Sequence, residues 1–144
     1  MPEIISGKLP CPPYTALAFD YGLSKLGVAV GQTQTATASP RGLVGAKDGI
    51  PQWERIDQLI AEWQPNLIVV GLPLNMDGSE SDICRRARKF SRRLANRHDI
   101  PVSMMDERLS TREARNLTSG DPANAVDDLA AVLILESWFN LTQN

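Results

Sequence analysis

At 144 residues and 42% hydrophobic content, the chain is long enough for one domain with a real core and too short for two of ordinary size. A net charge of −2 supplies no overall basic excess, so any contact with nucleic acid has to come from a local patch. No apolar run reaches the roughly 18 residues of a membrane span, and residues 1–10 lack the basic start and apolar stretch of a signal peptide. The expectation is a cytoplasmic protein with no membrane partner, whose two cysteines, Cys11 and Cys84, match no zinc or redox spacing and read as free thiols.

Residues 1–13 read as an irregular N-terminal extension to a single domain covering residues 1–144. The short apolar runs Tyr14 to Asp20 and Leu26 to Gln32, split by Tyr21-Gly22-Leu23-Ser24-Lys25, predict a hairpin with a glycine-bearing turn. A third strand around Ala36 to Val44 carries Pro40, which suits an edge. Trp53, Ile56, Leu59, Ile60 and Trp63 recur at helical spacing up to Pro65, and Leu67 to Val70 is an all-apolar, β-branched run typical of a strand buried on both faces. The turn formers of Gly71 to Gly78 then lead into a basic helix, and Pro101 to Met105 makes a fifth strand. A short helix is expected near Thr111 to Leu117, with Ser110 and Glu113 spaced as a capping box. The last helix, Val126 to about Leu141, is apolar nearly all round and must be largely buried. The fold class is α/β, a mixed five-stranded sheet with helices on both faces.

The basic helix holds seven of the 15 Lys and Arg residues. Steps of about 100° per residue put Ile83, Ala87, Phe90 and Leu94 on one stripe and Arg85, Arg86, Arg88, Lys89, Arg92, Arg93 and Arg97 over the opposite half-turn. A charged helix face is ordinarily a solvated one. Here it is almost all one sign, with Glu80 and Asp82 confined to the first turn where the helix dipole favours them, so phosphate contact is the competing reading. Contacts of that kind release counterions and weaken steeply with salt. The candidates are Arg85, Arg86, Arg92 and Arg93, together with Lys25, Arg108 and Arg112.

Three acidic clusters stand where a strand stops or a helix starts: Asp20, the pair Asp106 and Glu107, and the pair Asp127 and Asp128. Each has an ordinary explanation, since Asp closes turns and acids in the first turn of a helix complement its dipole. Gathered at one sheet edge, however, carboxylates repel one another and lose hydration, and a divalent cation relieves both. Alternation sends Asp106 and Glu107 to opposite faces, so only one of them can share a face with Asp20. Asp127 shares a helix face with Ala131 and Ile134, whereas Asp128 projects about 100° away. The single histidine, His98, ends the basic helix beside Asp99 and supports no histidine-based chemistry.

These motifs carry a resemblance. Phe19-Asp20-Tyr21-Gly22 with Gly27-Val28-Ala29-Val30-Gly31, then Val69-Val70-Gly71-Leu72-Pro73-Leu74-Asn75-Met76-Asp77-Gly78, Asp106-Glu107-Arg108-Leu109-Ser110-Thr111 and Val126-Asp127-Asp128-Leu129-Ala130-Ala131 resemble, in order, the YqgF (RuvX) family. The resemblance implies an RNase H-like fold and a nuclease that hydrolyses phosphodiester bonds with Mg²⁺ or Mn²⁺. Its implied metal-side carboxylates are Asp20, Glu107 and Asp127. It further implies a part in maturing the 5′ end of pre-16S rRNA, with ribosomal precursor particles as partners, or else resolution of Holliday junctions in branched DNA. A non-catalytic RNA- or ribosome-associated binding protein is the third reading. A junction would call for a homodimer and a single RNA strand only a monomer. Related resolvases place an acid at the end of the fourth strand, where this chain has Gly71, so Glu107 would have to replace it from the next strand.

Overall fold

The computed structural model describes residues 3–75, 77–107 and 126–142, with backbone alone over residues 126–128. In chain order the elements are β1 (Glu3–Ser6), β2 (Thr15–Asp20), β3 (Lys25–Gln32), β4 (Thr37–Lys47), β5 (Ile50–Pro51), α1 (Trp53–Trp63), β6 (Leu67–Leu72), α2 (Asp82–His98), β7 (Val102–Asp106) and α3 (Val126–Thr142). The strands form one mixed sheet in the order β1-β7-β6-β2-β3-β4-β5. β2 and β3 make the expected antiparallel hairpin, while β2, β6 and β7 run parallel.

The sheet has seven strands rather than the expected five, and the two additions are short edge pieces. β1 lies in the N-terminal extension that the sequence suggested was irregular. It pairs antiparallel with β7 through Ile4 and its neighbours, covering what would otherwise be an open edge of the parallel strands. Ser103 Oγ reinforces it by donating to the Glu3 carbonyl at 2.6 Å. β5 adds only two residue pairs to the end of β4. Pro40 stands on β4, which is otherwise an edge strand, opposite Ala29 and next to a register shift in β3.

Alternation along the central strands separates large residues from small ones. Leu17, Phe19, Val28 and Val30 face one side, where Ile56 and Leu59 of α1 and Cys84, Phe90 and Leu94 of α2 cover them. Ala16, Ala18 and Ala29 face the other side, leaving room for the bulky face of α3, where Leu135, Trp138 and Phe139 are fully buried. Gly31 carries this to its limit, because a Cβ there would stand 2.6 Å from the Thr37 carbonyl and 2.9 Å from the Phe139 ring. Trp138 satisfies its indole N–H by donating to the Tyr14 hydroxyl at 3.1 Å. On α2 the core stripe begins at Cys84; Ile83 is only half-buried.

The helices share a direction that matters for function. Ile134 of α3 lies against Gly71, near the end of β6, whereas Trp138 and Phe139 lie against Tyr14 and Gly31 at the other end of the sheet. The N-terminal end of α3 therefore heads for the edge formed by the carboxyl ends of β2 and β6. α1 ends where Asn66 hydrogen-bonds Thr15, so it too starts near that edge. α2 leaves from the end of β6 and returns to the start of β7. Three positive dipole ends thus gather round one edge, the side of an α/β sheet where ligands bind. Gln64 and Asp99 close α1 and α2 in the left-handed conformation, at φ of 45° and 52°. Among the described residues no helix is long and apolar enough to cross a membrane.

Candidate active site

Asp20 is the last residue of β2, half-buried, with Gly27 of β3 opposite it. The parallel register of Phe19 with Val70 sets Gly71 beside Asp20 on the other flank. Alternation puts Asp20 on the face of Ala16 and Ala18, under α3. On β7, Val102 and Met104 belong to the core beneath α1 and α2, while Met105 belongs to the core beneath α3. Asp106 therefore falls on the α2 side and Glu107 on the α3 side.

Glu107 extends across the space above Gly71. Its Oε1 lies 2.6 Å and its Cγ 3.1 Å from where a Cβ on Gly71 would stand, with Ile134 Cδ1 of α3 closing the same space at 2.6 Å. The absent side chain of Gly71 is the cradle that lets a carboxylate from β7 reach the end of β6, next to Asp20. Two half-buried carboxylates on one sheet face offer hard oxygen donors, the set that Mg²⁺ and Mn²⁺ prefer, and the arrangement fits such an ion.

Asp127 is the second residue of α3, seven residues before Ile134, on the end of the helix that heads for this edge. Its side chain, like that of Asp128, lies outside the described residues, as do Arg108, Arg112 and the expected helix near Thr111 to Leu117. Among the described residues, no three His, Cys, Asp or Glu side chains group as metal ligands. Gly22 serves the tight turn between β2 and β3, since a Cβ there would stand 2.5 Å from the Lys25 carbonyl. Lys25 opens β3 just after that turn and is exposed.

The cationic face of α2 is partly committed within the protein. Arg85 pairs with Asp82, an exposed link that is easily exchanged for another anion. Arg88, which sequence period alone placed on the open face, is held by Glu80 at 2.9 Å and by Glu3 of β1. Arg97 pairs with Asp57 at 2.6 Å and holds that carboxyl below its ordinary pKa, and His98 Nε2 approaches the same carboxylate at 2.8 Å, at the end of α2 far from Asp20. Arg86 donates to the Asp48 carbonyl at 3.0 Å, pinning the β4–β5 turn. Lys89, Arg92 and Arg93 make no ion pair among the described residues.

Sequence reasoning missed a hollow of about 340 Å³ on the α2 side of the same strand end, lined by Tyr21, the turn Asp48 to Pro51, Trp53, Arg86, Lys89, Phe90 and Arg93. Trp53 was legible only as one position of an apolar helical stripe. Burial raises the Tyr21 hydroxyl above its ordinary pKa, while the guanidinium groups of Arg86 and Arg93 pull the other way.

With Asp20, Gly71 and Glu107 placed at the edge that three helices face, comparison with known proteins decides the family. Residues 14–141 match the RuvX family profile, described as Holliday junction resolvase. The chain belongs to the RuvX family. Curated RuvX relatives named "Putative pre-16S rRNA nuclease" include one from Saccharophagus degradans, 53% identical over 131 residues and covering 87% of this chain and 92% of that one. Another, from Haemophilus ducreyi, is 50% identical over 132 residues, covering 88% and 96%. Among solved structures, Thermus thermophilus RuvC in complex with a Holliday junction substrate superposes with a TM-score of 0.58 at 13% identity, over 90% of this RuvX chain and 96% of RuvC. That likeness shows the fold, the RNase H-like architecture expected from the motifs.

Proposed function

We propose that this RuvX chain is a metal-dependent nuclease that hydrolyses phosphodiester bonds, acting in 5′-end maturation of pre-16S rRNA. The observation that carries the reading is the Glu107 carboxylate seated over Gly71 beside Asp20, at the carboxyl edge of the parallel strands. Asp20, Glu107 and Asp127 are the residues that would hold Mg²⁺ or Mn²⁺. When bound, such an ion lowers the pKa of a water and neutralises charge on phosphate oxygens. The chain's own part is positioning. β2 fixes Asp20 through pairing on both flanks, and the Gly71 cradle together with Ile134 limits where Glu107 can place its oxygens. Half-burial strips water from both groups, so their anionic charge is offset only by a cation or a nearby donor. Lys25, Arg85, Arg86, Arg92, Arg93, Arg108 and Arg112 are the candidates to hold the backbone of the nucleic acid.

The relatives' names favour ribosomal RNA, and the family description favours branched DNA, so both substrates belong in one assay. In Mn²⁺ the protein is expected to cleave a 16S precursor carrying its 5′ leader faster than a synthetic four-way junction. Faster, paired cuts in the junction would instead support the resolvase reading. Binding without cleavage of either would leave an RNA- or ribosome-associated binder. In all three cases affinity should fall steeply with salt, and an Arg92→Gln/Arg93→Gln protein should show a log K against log[salt] slope shallower by about 1.4, at roughly 0.7 per phosphate contact on a single strand.

A further inference from the structure

The hollow on the α2 side of the Asp20 edge has the makings of a second binding site. Its volume, about 340 Å³, falls at the lower end of small-ligand sites, which run from about 300 to 1,000 Å³. Tyr21 and Phe90 form an almost fully buried floor, their ring centroids 5.2 Å apart, and Trp53 stands against Phe90 at 5.6 Å as a half-buried wall. Two hydrogen bonds tie the floor to the adjoining turn: the Tyr21 hydroxyl donates to the Gly49 carbonyl at 2.6 Å, and Arg86 donates to the Asp48 carbonyl at 3.0 Å. At the rim stand Lys89 and Arg93, which have no ion pair among the described residues. A second hollow of about 340 Å³, lined by Trp53, Arg93, Asn96 and Arg97, shares Trp53 and Arg93 with the first.

Aromatic and apolar walls beneath an uncommitted pair of cations match one class of ligand, a nucleoside phosphate. We propose that this hollow binds one unpaired nucleotide, with its base against Trp53, Tyr21 and Pro51 and its phosphate between Lys89 and Arg93. A base inside a duplex is covered on both faces and cannot enter, so the site selects single-stranded or looped nucleic acid. Tyr21 directly follows Asp20, and alternation turns the two to opposite faces of the sheet. A strand crossing this edge would meet the carboxylates on one side and the nucleotide site on the other. That role next to the scissile bond rests on the nuclease reading above, whereas the binding itself does not. The ligand has two sources, a nucleotide within the strand or a free mononucleotide.

Full-length Asp20→Asn protein, which should not cleave, allows binding to be measured by fluorescence anisotropy with a labelled unpaired RNA hexanucleotide and with the matching duplex. Lys89→Gln/Arg93→Gln in that background should weaken hexanucleotide binding about tenfold. Trp53→Leu should weaken it several-fold. Arg41→Gln, which removes a charge stacked on Trp63 at 4.7 Å, should change it less than twofold. The duplex should bind more weakly than the hexanucleotide and respond less to Trp53→Leu. Displacement of the hexanucleotide by adenosine monophosphate would identify the free nucleotide as a ligand in its own right, and failure to displace it would restrict the site to nucleotides held in a strand. The proposal is overturned if the Lys89/Arg93 and Trp53 variants bind like their parent, or no worse than Arg41→Gln. Should the binding pattern hold while the Asp20→Asn protein still cleaves at the wild-type rate, the catalytic assignment falls and the nucleotide site stands.

Discussion

An Asp20→Asn protein is expected to lose cleavage by about three orders of magnitude, equivalent to about 4 kcal/mol of transition-state stabilisation, while keeping its fold. The amide has the shape of the carboxylate and stays in the same strand position between Gly27 and Gly71, so packing is barely altered. What disappears is the formal negative charge that attracts a hard cation at the end of β2. Single-turnover cleavage of the 16S precursor in Mn²⁺, with circular dichroism to check folding, measures the effect. A rate within a few-fold of wild type would remove Asp20 from the chemistry.

The second large effect is expected at Gly71, which no charge or polarity scale would single out. Gly71→Ala places a methyl group 2.6 Å from both Glu107 Oε1 and Ile134 Cδ1. Ile134 is buried against the sheet, so the Glu107 side chain is the partner that yields. Displacing it should lower the cleavage rate by about 10- to 100-fold, while overpacking costs about 1–3 kcal/mol of stability. Gly31→Ala is the matched control, since it lies under the same helix and meets Thr37, Phe139 and Leu135 but no carboxylate. It should lose stability on a similar scale by urea unfolding, yet the folded protein should cleave at nearly the wild-type rate. Equal rate losses in the two variants would mean that Gly71 serves packing alone.

Much of this arrangement was legible from residue patterns because the patterns obey one physical requirement each. Leu17-Ala18-Phe19 and Val28-Ala29-Val30-Gly31 alternate large with small, and a sheet whose two faces carry different helices needs that asymmetry. The all-apolar α3 signalled burial without saying where, since periodicity has nothing to report when every side of a helix is covered. The choice between Asp106 and Glu107 stayed open in the sequence, because alternation separates the two without saying which faces Asp20. Membership of Met104 and Met105 in opposite cores decides the side of each.

Other features depended on partners distant in sequence and left no local trace. β1 forms because β7 presents an unpaired edge about 100 residues later, as the Ser103 to Glu3 hydrogen bond shows. Arg88 looked like an open cation by helical period, yet Glu3 and Glu80 claim it. Arg86 is held by a backbone carbonyl 38 residues upstream. Trp53 fits the helical apolar stripe, but its position at the first residue of α1 leaves it half-buried beside the hollow, which helical spacing alone does not reveal.

The claim on which the rest depends is that Asp20 and Glu107, with Asp127, bind a common divalent ion. Crystals grown with manganese and measured for anomalous scattering at the Mn edge test it directly. The expected result is a peak on the order of 2.1 Å from oxygens of both Asp20 and Glu107, with an Asp127 oxygen in the same shell, and no peak in crystals of the Asp20→Asn protein. Manganese absent from this edge, or bound there without Asp20 and Glu107, would contradict the account.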